Sequence, residues 1–435
     1  MLSPLRHLAY RGLFAAQVFA LLGTGVSTIA LALLAHDLAG ARAGEILGTV
    51  LAIKMICYFA AAPVAAALAV GAPRKSLLVG LDIVRAGVAL CLPFVSQAWH
   101  VYALMSVLYL ASAAFTPAFQ AMIPDVLPDE EEYTKALSLS RLAADLESVA
   151  SPVLAAALLL FLSSHDLFAG AGVGFVLSAL LVVNTALPSA TAPQPRPFLV
   201  RLTAGLNLFW HTPRLRGLVA LALASASAGA MVFVNTVVIV QSAFAMPERA
   251  TALALVAFGS GSIMAAIVLP GLLRWLTDRV IMLVGALLAA ICLALGPVVA
   301  IDYWALVSLW CVLGAGYSLT LTPVGRVLRR SSHGEDRPAL FAAQFALSHA
   351  CWLVAYPLAG FAGAWLGADA AFLLLACLCV VGAGAAMALW PAHDPTTLEH
   401  RHDELPQDHP HLDGRSSHSH AYVIDDLHRS WPNRP

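Results

Sequence analysis

Twelve runs of roughly 18 or more apolar residues, separated by short polar breaks, constrain this chain more than any motif in it. A run of that length crosses the hydrocarbon core of a bilayer as a helix, and in lipid a helix satisfies its own backbone hydrogen bonds. The runs are Leu13–Ala35, Ile46–Val70, Leu77–Pro93, Val101–Met122, Ala136–Leu162, Phe168–Leu187, Leu218–Gln241, Thr251–Leu273, Val280–Ala300, Trp304–Val324, Leu340–Leu366 and Ala370–Leu389. Composition excludes the alternative of several soluble domains. With 11% charged and 60% apolar residues and a mean hydropathy of +0.81, the 24 basic and 25 acidic side chains of 435 residues cannot cover a water-facing surface. The expectation is an all-α polytopic membrane protein. The net charge of −1 offers nucleic acid nothing to bind. The first run is too long for a cleavable secretion signal and lacks a small-residue cleavage site, so none is expected. All seven cysteines lie inside apolar runs as small hydrophobes, which leaves a disulfide framework unsupported.

Lysine and arginine set the orientation. Arg6, Arg11, Arg74, Lys75, Lys135, Arg196, Arg201, Arg214, Arg216, Arg274, Arg279, Arg326, Arg329, Arg330 and Arg337 fall at the termini or in alternate loops. Only Arg42 and Arg249 fall on the other side, so the basic side is expected to be cytoplasmic, with both chain ends there and the protein in the inner membrane. The halves also repeat. Arg11-Gly12-Leu13 returns as Arg216-Gly217-Leu218, and Arg74 with Leu77-Leu78-Val79-Gly80 returns as Arg279 with Met282-Leu283-Val284-Gly285. Thr116-Pro117 matches Thr322-Pro323, and Pro152 matches Pro357. The offset is 205 or 206 residues throughout (216 − 11, 279 − 74, 322 − 116, 357 − 152), which a duplicated six-helix bundle explains. The expected parts are an N-terminal bundle over 1–187, a proline-rich linker over 188–213, a C-terminal bundle over 214–391 and a histidine-rich tail over 392–435.

Two parallel six-helix halves around a midplane site describe the major facilitator architecture, and here the sequence resembles a family. Phe115-Thr-Pro-Ala-Phe-Gln-Ala-Met-Ile-Pro-Asp-Val-Leu-Pro-Asp129 is similar to the fourth-span signature of the drug:proton antiporter-3 branch of major facilitators. Leu81-Asp82-Ile-Val-Arg85-Ala and the amphipathic lead Phe198–Leu218 fit the same branch. Within it, the histidine-rich tail and Ala136–Glu147 most resemble the nickel-resistance exporters. The resemblance implies a twelve-helix transporter working by alternating access and not an enzyme. The sequence departs from the facilitator pattern twice: Val70 stands where the loop between spans two and three normally carries Asp, and Ser151-Pro152 replaces Gly-Pro in span five. Loss of that Asp removes the usual partner of a charge-relay gate.

Ionisable groups at membrane depth are costly and so point to function. Lys54 lies in the second span, Asp82 and Arg85 in the third, Arg141, Asp145 and Glu147 in the fifth, and His349 in the eleventh. Asp82/Arg85 and Arg141/Asp145 are spaced to meet on one helix face, either neutralising each other or serving coupling and cation contact. Glu147 is about 200° around the helix from Asp145 and cannot share its face. It reads as a proton-coupling group, or as a partner of Lys54 across helices. His349 and Cys351 form a candidate metal-contacting pair, against the plainer reading of a helix-bridging His. Gln120, Asn235, Gln241 and Tyr317 are polar groups on cavity-lining spans, placed to touch substrate or to bridge helices.

Eight of 15 histidines follow Pro391, where the sequence turns hydrophilic. They include the His-x-His units His400/His402, His409/His411 and His418/His420, each able to turn two imidazoles to one side of an extended segment. With nearby carboxylates such a tail favours borderline divalent ions, or it is a solubilising segment with incidental histidines. The apolar Ala421–Trp431 stretch reads as a latch on the cytoplasmic face. No resident cofactor is expected; metal enters as cargo or as tail-bound Ni2+. The resulting expectation is proton-driven export of Ni2+, with Co2+ as a second cargo, by a monomer in contact with lipid and protons. The alternatives are an exporter of amphipathic organic compounds and a non-transporting metal sensor. No nucleophile–base set or phosphate loop supports an enzyme.

Overall fold

A computed structural model describes all residues except 1, 40–42, 71, 162, 164, 188–196, 395–396, 402–416, 426, 429–430 and 432–435. Residues 188–196 of the expected linker and His402, His409 and His411 lie outside the described residues. The N-terminal half contains α1 (Leu8–Ala39), α2 (Ala43–Leu68), α3 (Arg74–Cys91), α4 (Ala98–Val126), α5 (Glu130–Leu159) and α6 (Asp166–Asn184). An amphipathic connector, α7 (Phe198–His211), leads into the second half: α8 (Pro213–Val237), α9 (Glu248–Leu272), α10 (Asp278–Val299), α11 (Tyr303–Leu321), the short α12 (Val324–Arg330), α13 (Arg337–Leu366) and α14 (Ala368–Leu389). After α14, β1 (Leu398–Arg401) and β2 (Ser417–His420) pair antiparallel.

Eleven segments among the described residues are long and apolar enough to cross a membrane. The expected fifth span, α5, is 30 residues long and concentrates its charges, Glu130, Glu131, Glu132, Lys135, Arg141, Asp145 and Glu147, toward its start. The protein places this helix between the halves, against α1 and α9, where its charges meet polar partners rather than lipid. Its start is well made: Asp129 accepts from the backbone N–H of Glu132 at 2.8 Å, and three glutamates occupy the positive end of the helix dipole. Between α13 and α14 the chain turns on the single residue Gly367, whose φ of 88° favours glycine.

The same helix pairings occur in both halves. As α1 packs on α6 and α5, α8 packs on α14 and α13; as α2 packs on α4, α9 packs on α11; as α3 packs on α6, α10 packs on α14. The repeat explains two glycines. A Cβ on Gly12 would lie 2.2 Å from Thr185 Oγ1, and one on Gly217 would lie 2.8 Å from Trp390 Cβ. Each first helix thus needs a bare backbone where it meets the end of the sixth helix of its own half, at positions again 205 apart (217 − 12, 390 − 185). Leu13 and Leu218, next in each repeat, are fully buried.

Two glycines mark a close approach of α9 and α11. A Cβ on Gly261 would fall 1.8 Å from the Cys311 carbonyl oxygen, and one on Gly314 would fall 1.9 Å from that of Phe258. Both obstacles are backbone, which cannot rotate away. Gly314→Ala is therefore expected to destabilise the second half by about 3 kcal/mol, at the upper end of overpacking costs. Thermal unfolding in detergent measures this; a Tm within a degree of the parent would show that the two helices separate freely.

Candidate functional site

The seam between the halves is built by α5 on α9 and by α13 on α2 and α4. At 1.5 Å per residue, Arg141 and Asp145 lie about 17 and 23 Å along α5 from Glu130, Lys54 about 21 Å from the Leu68 end of α2, and His349 about 18 Å from the Arg337 end of α13. These groups share one layer near mid-height. Arg141 holds Asp145 with a two-pronged grip, Nε to Oδ2 at 3.1 Å and Nη2 to Oδ1. Ser262 of α9 donates to the same Oδ2 at 2.6 Å and accepts from Arg141 Nε at 3.1 Å. The guanidinium also lies 4.9 Å over the ring of Tyr317 on α11. The expected pair is thus a cluster that joins the halves, through a serine that no sequence pattern marked.

Glu147 points elsewhere, as its angle requires. It accepts from Ser151 Oγ at 3.3 Å and lies over Gly25 of α1, where a Cβ would come within 2.2 Å of its Oε1. Lys54 and Glu147 lie within Coulombic reach, but no ion pair between them closes among the described residues. The Lys54 ammonium instead sits 5.6 and 5.9 Å from the rings of Tyr58 and Tyr109. Tyr58 meets His349 at 4.8 Å and Phe345 at 5.0 Å across the seam. A second aromatic row, Phe233, Phe258, Trp352 and Tyr356, continues through the C-terminal half.

The other expected site residues fall in separate places. His349 and Cys351 do not form a metal-contacting pair: the imidazole turns to α2 and bonds its own helix through Phe345 O at 2.7 Å, whereas the Cys351 thiol faces Val219 of α8. Two residues are about 200° apart on a helix, so the pair diverges. Asn235 is buried and donates to Ala359 O of α13 at 3.2 Å, bridging helices. Gln241 donates to Thr251 at 3.2 Å within the C-terminal half, and Gln120 is exposed on α4. Asp82 and Arg85 form a closed pair inside the N-terminal half. Asp82 accepts from Arg85 and, at 2.7 Å, from Ser178, while the guanidinium lies 4.0 and 4.7 Å from the rings of Phe115 and Phe175.

On the face carrying both chain ends, Asp125 at the end of α4 accepts from Arg74 of its own half and from Arg337 of the other. Glu130 pairs with Arg326, Glu131 with Arg274 at 2.7 Å, and Arg326 reaches Thr134. Every ion pair between the halves made by the described residues lies on this face, which is therefore the closed one. Val70 lacks a carboxylate, and the acid that pairs with arginines of both halves on this face is Asp125, inside the fourth-span signature.

The tail folds on this same face. Tyr422, Val423 and Ile424 are buried; the Tyr422 carbonyl accepts from Arg214 at 3.1 Å, and Arg214 lies 4.9 Å over Trp431. Asp394 binds Arg330, Arg214 at 3.2 Å and the Trp390 indole at 2.9 Å. The hairpin sets His400 opposite His418, and one nitrogen from each of His400, His418 and His420 lies within 4.8 Å of the others. No other group of three such donors occurs among the described residues. His428 joins them, its Nε2 3.0 Å from His400 Nε2. Burial pushes His400 down to about 4, and the imidazoles of His428, His420 and His418 act the same way, so its ring is neutral at physiological pH.

Asp425 sits between the tail and the α12–α13 turn, 2.8 Å from His428 Nδ1 and 3.3 Å from His333 Nε2. Burial would raise its pKa, but bonds from His333 and His428 outweigh that and hold it well below the usual carboxylate range. The bond to Asp425 in turn raises His333 above its usual 6.5. A His raised on docking adds docking stability that is fully present below pH 6.5 and is lost as pH rises through the docked value. Protease protection of residues 421–425 is expected to weaken across that window, and His333→Ala to remove the dependence. An unchanged pH profile in that variant would dismiss the pair.

The sequence matches the Major Facilitator Superfamily over residues 13–295 and again over residues 219–416. A curated relative, the uncharacterized MFS-type transporter YfiS of Bacillus subtilis strain 168, is 28% identical over 158 residues, 35% of this chain and 38% of that protein. The chain thus matches well under half the length of that relative. Its fold is similar to those of the human organic anion transporter MFSD10 (TM-score 0.73, 12% identity, 87% of this chain and 99% of that one) and the Escherichia coli fucose:proton symporter FucP (0.70, 14%, 88% and 98%). It is also similar to a bacterial homologue of the iron transporter ferroportin in its outward-facing state (0.71, 16%, 88% and 98%).

Proposed function

Because the chain belongs to the Major Facilitator Superfamily, we propose that it is a proton-coupled exporter of Ni2+, with Co2+ as a second cargo, in the inner membrane. Both chain ends face the cytoplasm on this reading, which the distribution of lysine and arginine supports. The observation that carries the choice of metal is the convergence of His400, His418 and His420 on the closed face. Neutral imidazoles suit borderline divalent ions over Mg2+ or Ca2+. Export then consists of loading from the cytoplasm when that face opens and release from the opposite face. Glu147, placed against Gly25 with Ser151 as its hydroxyl donor, is the group assigned to proton coupling, and the Arg141–Asp145–Ser262 cluster is the tie that alternates. Everted vesicles test this. Ni2+ uptake is expected to rise with an imposed pH gradient, and Glu147→Gln to remove that response. Uptake equal to that of vesicles lacking the protein would overturn the metal reading.

A second reading is supported by the seam itself. Lys54 with Tyr58, Tyr109, Phe345 and His349 presents a cation and aromatic faces rather than metal ligands, a lining suited to an amphipathic organic compound. Gradient-driven uptake of such compounds, with no Ni2+ flux and no effect of tail deletion, would establish it instead.

A further inference from the structure

We propose that His400, His418, His420 and His428 form a regulatory divalent-metal site, with Asp425 as its orienting carboxylate, whose occupancy fastens the docked tail to the α12–α13 turn. The site stands apart from the transport seam and does not rest on which substrate crosses the membrane.

The hydrogen bonds settle where the lone pairs point. His400 Nδ1 lies 3.1 Å from Leu398 O, His420 Nδ1 2.8 Å from Ala421 O, and His428 Nδ1 2.8 Å from Asp425 Oδ1. A carbonyl or carboxylate oxygen accepts only, so each of these nitrogens carries a ring proton, which leaves Nε2 as the nitrogen through which each ring could bind a metal. The Nε2 atoms of His400 and His428 then face each other at 3.0 Å. One proton between them makes that contact an N–H···N hydrogen bond, and a metal ion that displaces the proton takes both nitrogens. Two imidazoles bound tetrahedrally at 2.0–2.1 Å to one metal bring their nitrogens to roughly 3.3 Å, so little movement separates this arrangement from a ligated one.

Three elements contribute: β1 gives His400, β2 gives His418 and His420 on one face of the strand, and the segment after Ile424 gives His428, which is 3% exposed. The carboxylate that fixes the His428 ring is shared with His333, four residues before the gate residue Arg337. Tyr422, whose carbonyl holds Arg214, packs 4.9 Å from His400 and 4.6 Å from His428. Ligands and docking contacts are therefore one folded unit, and a metal that binds this unit must favour docking. At a free metal concentration one hundred times Kd, the ratio of docked to free tail rises about a hundredfold.

Hydrogen exchange of the full-length protein in detergent, with Ni2+ or Zn2+ alone against a chelator, tests this. Either ion is expected to slow exchange over residues 417–428 at least tenfold. His428→Gln should abolish the slowing, and a variant with His402, His409 and His411 all changed to Ala should retain it. If His428→Gln undocks the tail even in chelator, His418→Gln decides the same question. The proposal is overturned if metal slows exchange equally in His428→Gln or His418→Gln, if the triple variant alone loses the effect, or if metal binds without changing exchange. No transport enters the measurement, so absence of Ni2+ flux would leave this site standing and its failure would leave the flux result untouched.

Discussion

Asp145→Ala is expected to lower transport about a hundredfold and to destabilise the protein by about 3 kcal/mol, the low end of the cost of stripping a buried charge of its partner. The variant leaves Arg141 at mid-height with no carboxylate and removes the acceptor that Ser262 of the other half uses at 2.6 Å. Asp145→Asn separates the two losses: the amide oxygen still accepts from Ser262, but the negative charge is gone. The double variant Arg141→Ala/Asp145→Ala is the decisive comparison. If the harm comes from an unpaired guanidinium, removing both groups restores stability toward the parent while transport remains low. Stability lost additively in the double variant would show that the pair makes no special interaction.

Asp125→Ala is expected to open the face that carries the chain ends. Its carboxylate is shared between Arg74 and Arg337, with side chains 22%, 21% and 17% exposed, so the cost of removing it is discounted to about 2 kcal/mol for solvent screening. That shifts a two-state balance roughly thirtyfold toward the open form. Spin labels on the α4–α5 connection and the α12–α13 turn would read the separation directly. Glu131→Ala is the matched control. Its partner Arg274 is 66% exposed and Glu131 itself 52%, so the effect should be small and fade with salt. Equal shifts in the two variants would mean that the more buried, doubly paired carboxylate has no special part in holding the face closed.

The two expectations differ because of where carboxylates end up, and that was only partly legible in the chain. Arg141 and Asp145 announce themselves as a pair by spacing alone, as do Asp82 and Arg85, since residues three or four apart on a helix must be neighbours. Their different fates were not legible. Asp82/Arg85 is sealed among α3, α4 and α6, while Arg141/Asp145 reaches across to Ser262 and Tyr317. Asp125 was visible as part of the fourth-span signature but carried no sign of its second arginine, 212 residues away. The tail histidines drew attention by composition, yet His428 did not, because it belongs to no His-x-His unit and joins the cluster only through the fold of residues 417–428.

Sequence alone determined that the chain lies in a membrane, that it is built as two repeated six-helix halves, and which few charged groups sit at depth. Hydropathy, helical period and repeat spacing are properties of neighbouring residues or of exact offsets, so they survive without coordinates. Tertiary structure decided which face is closed, that α5 carries its charges between the halves rather than to lipid, that His349 and Cys351 diverge, and that a hairpin gathers imidazoles against the α12–α13 turn. Those outcomes depend on how each helix is rotated against partners more than a hundred residues away, and at about 100° per residue a shift of one position turns a side chain from the seam to lipid.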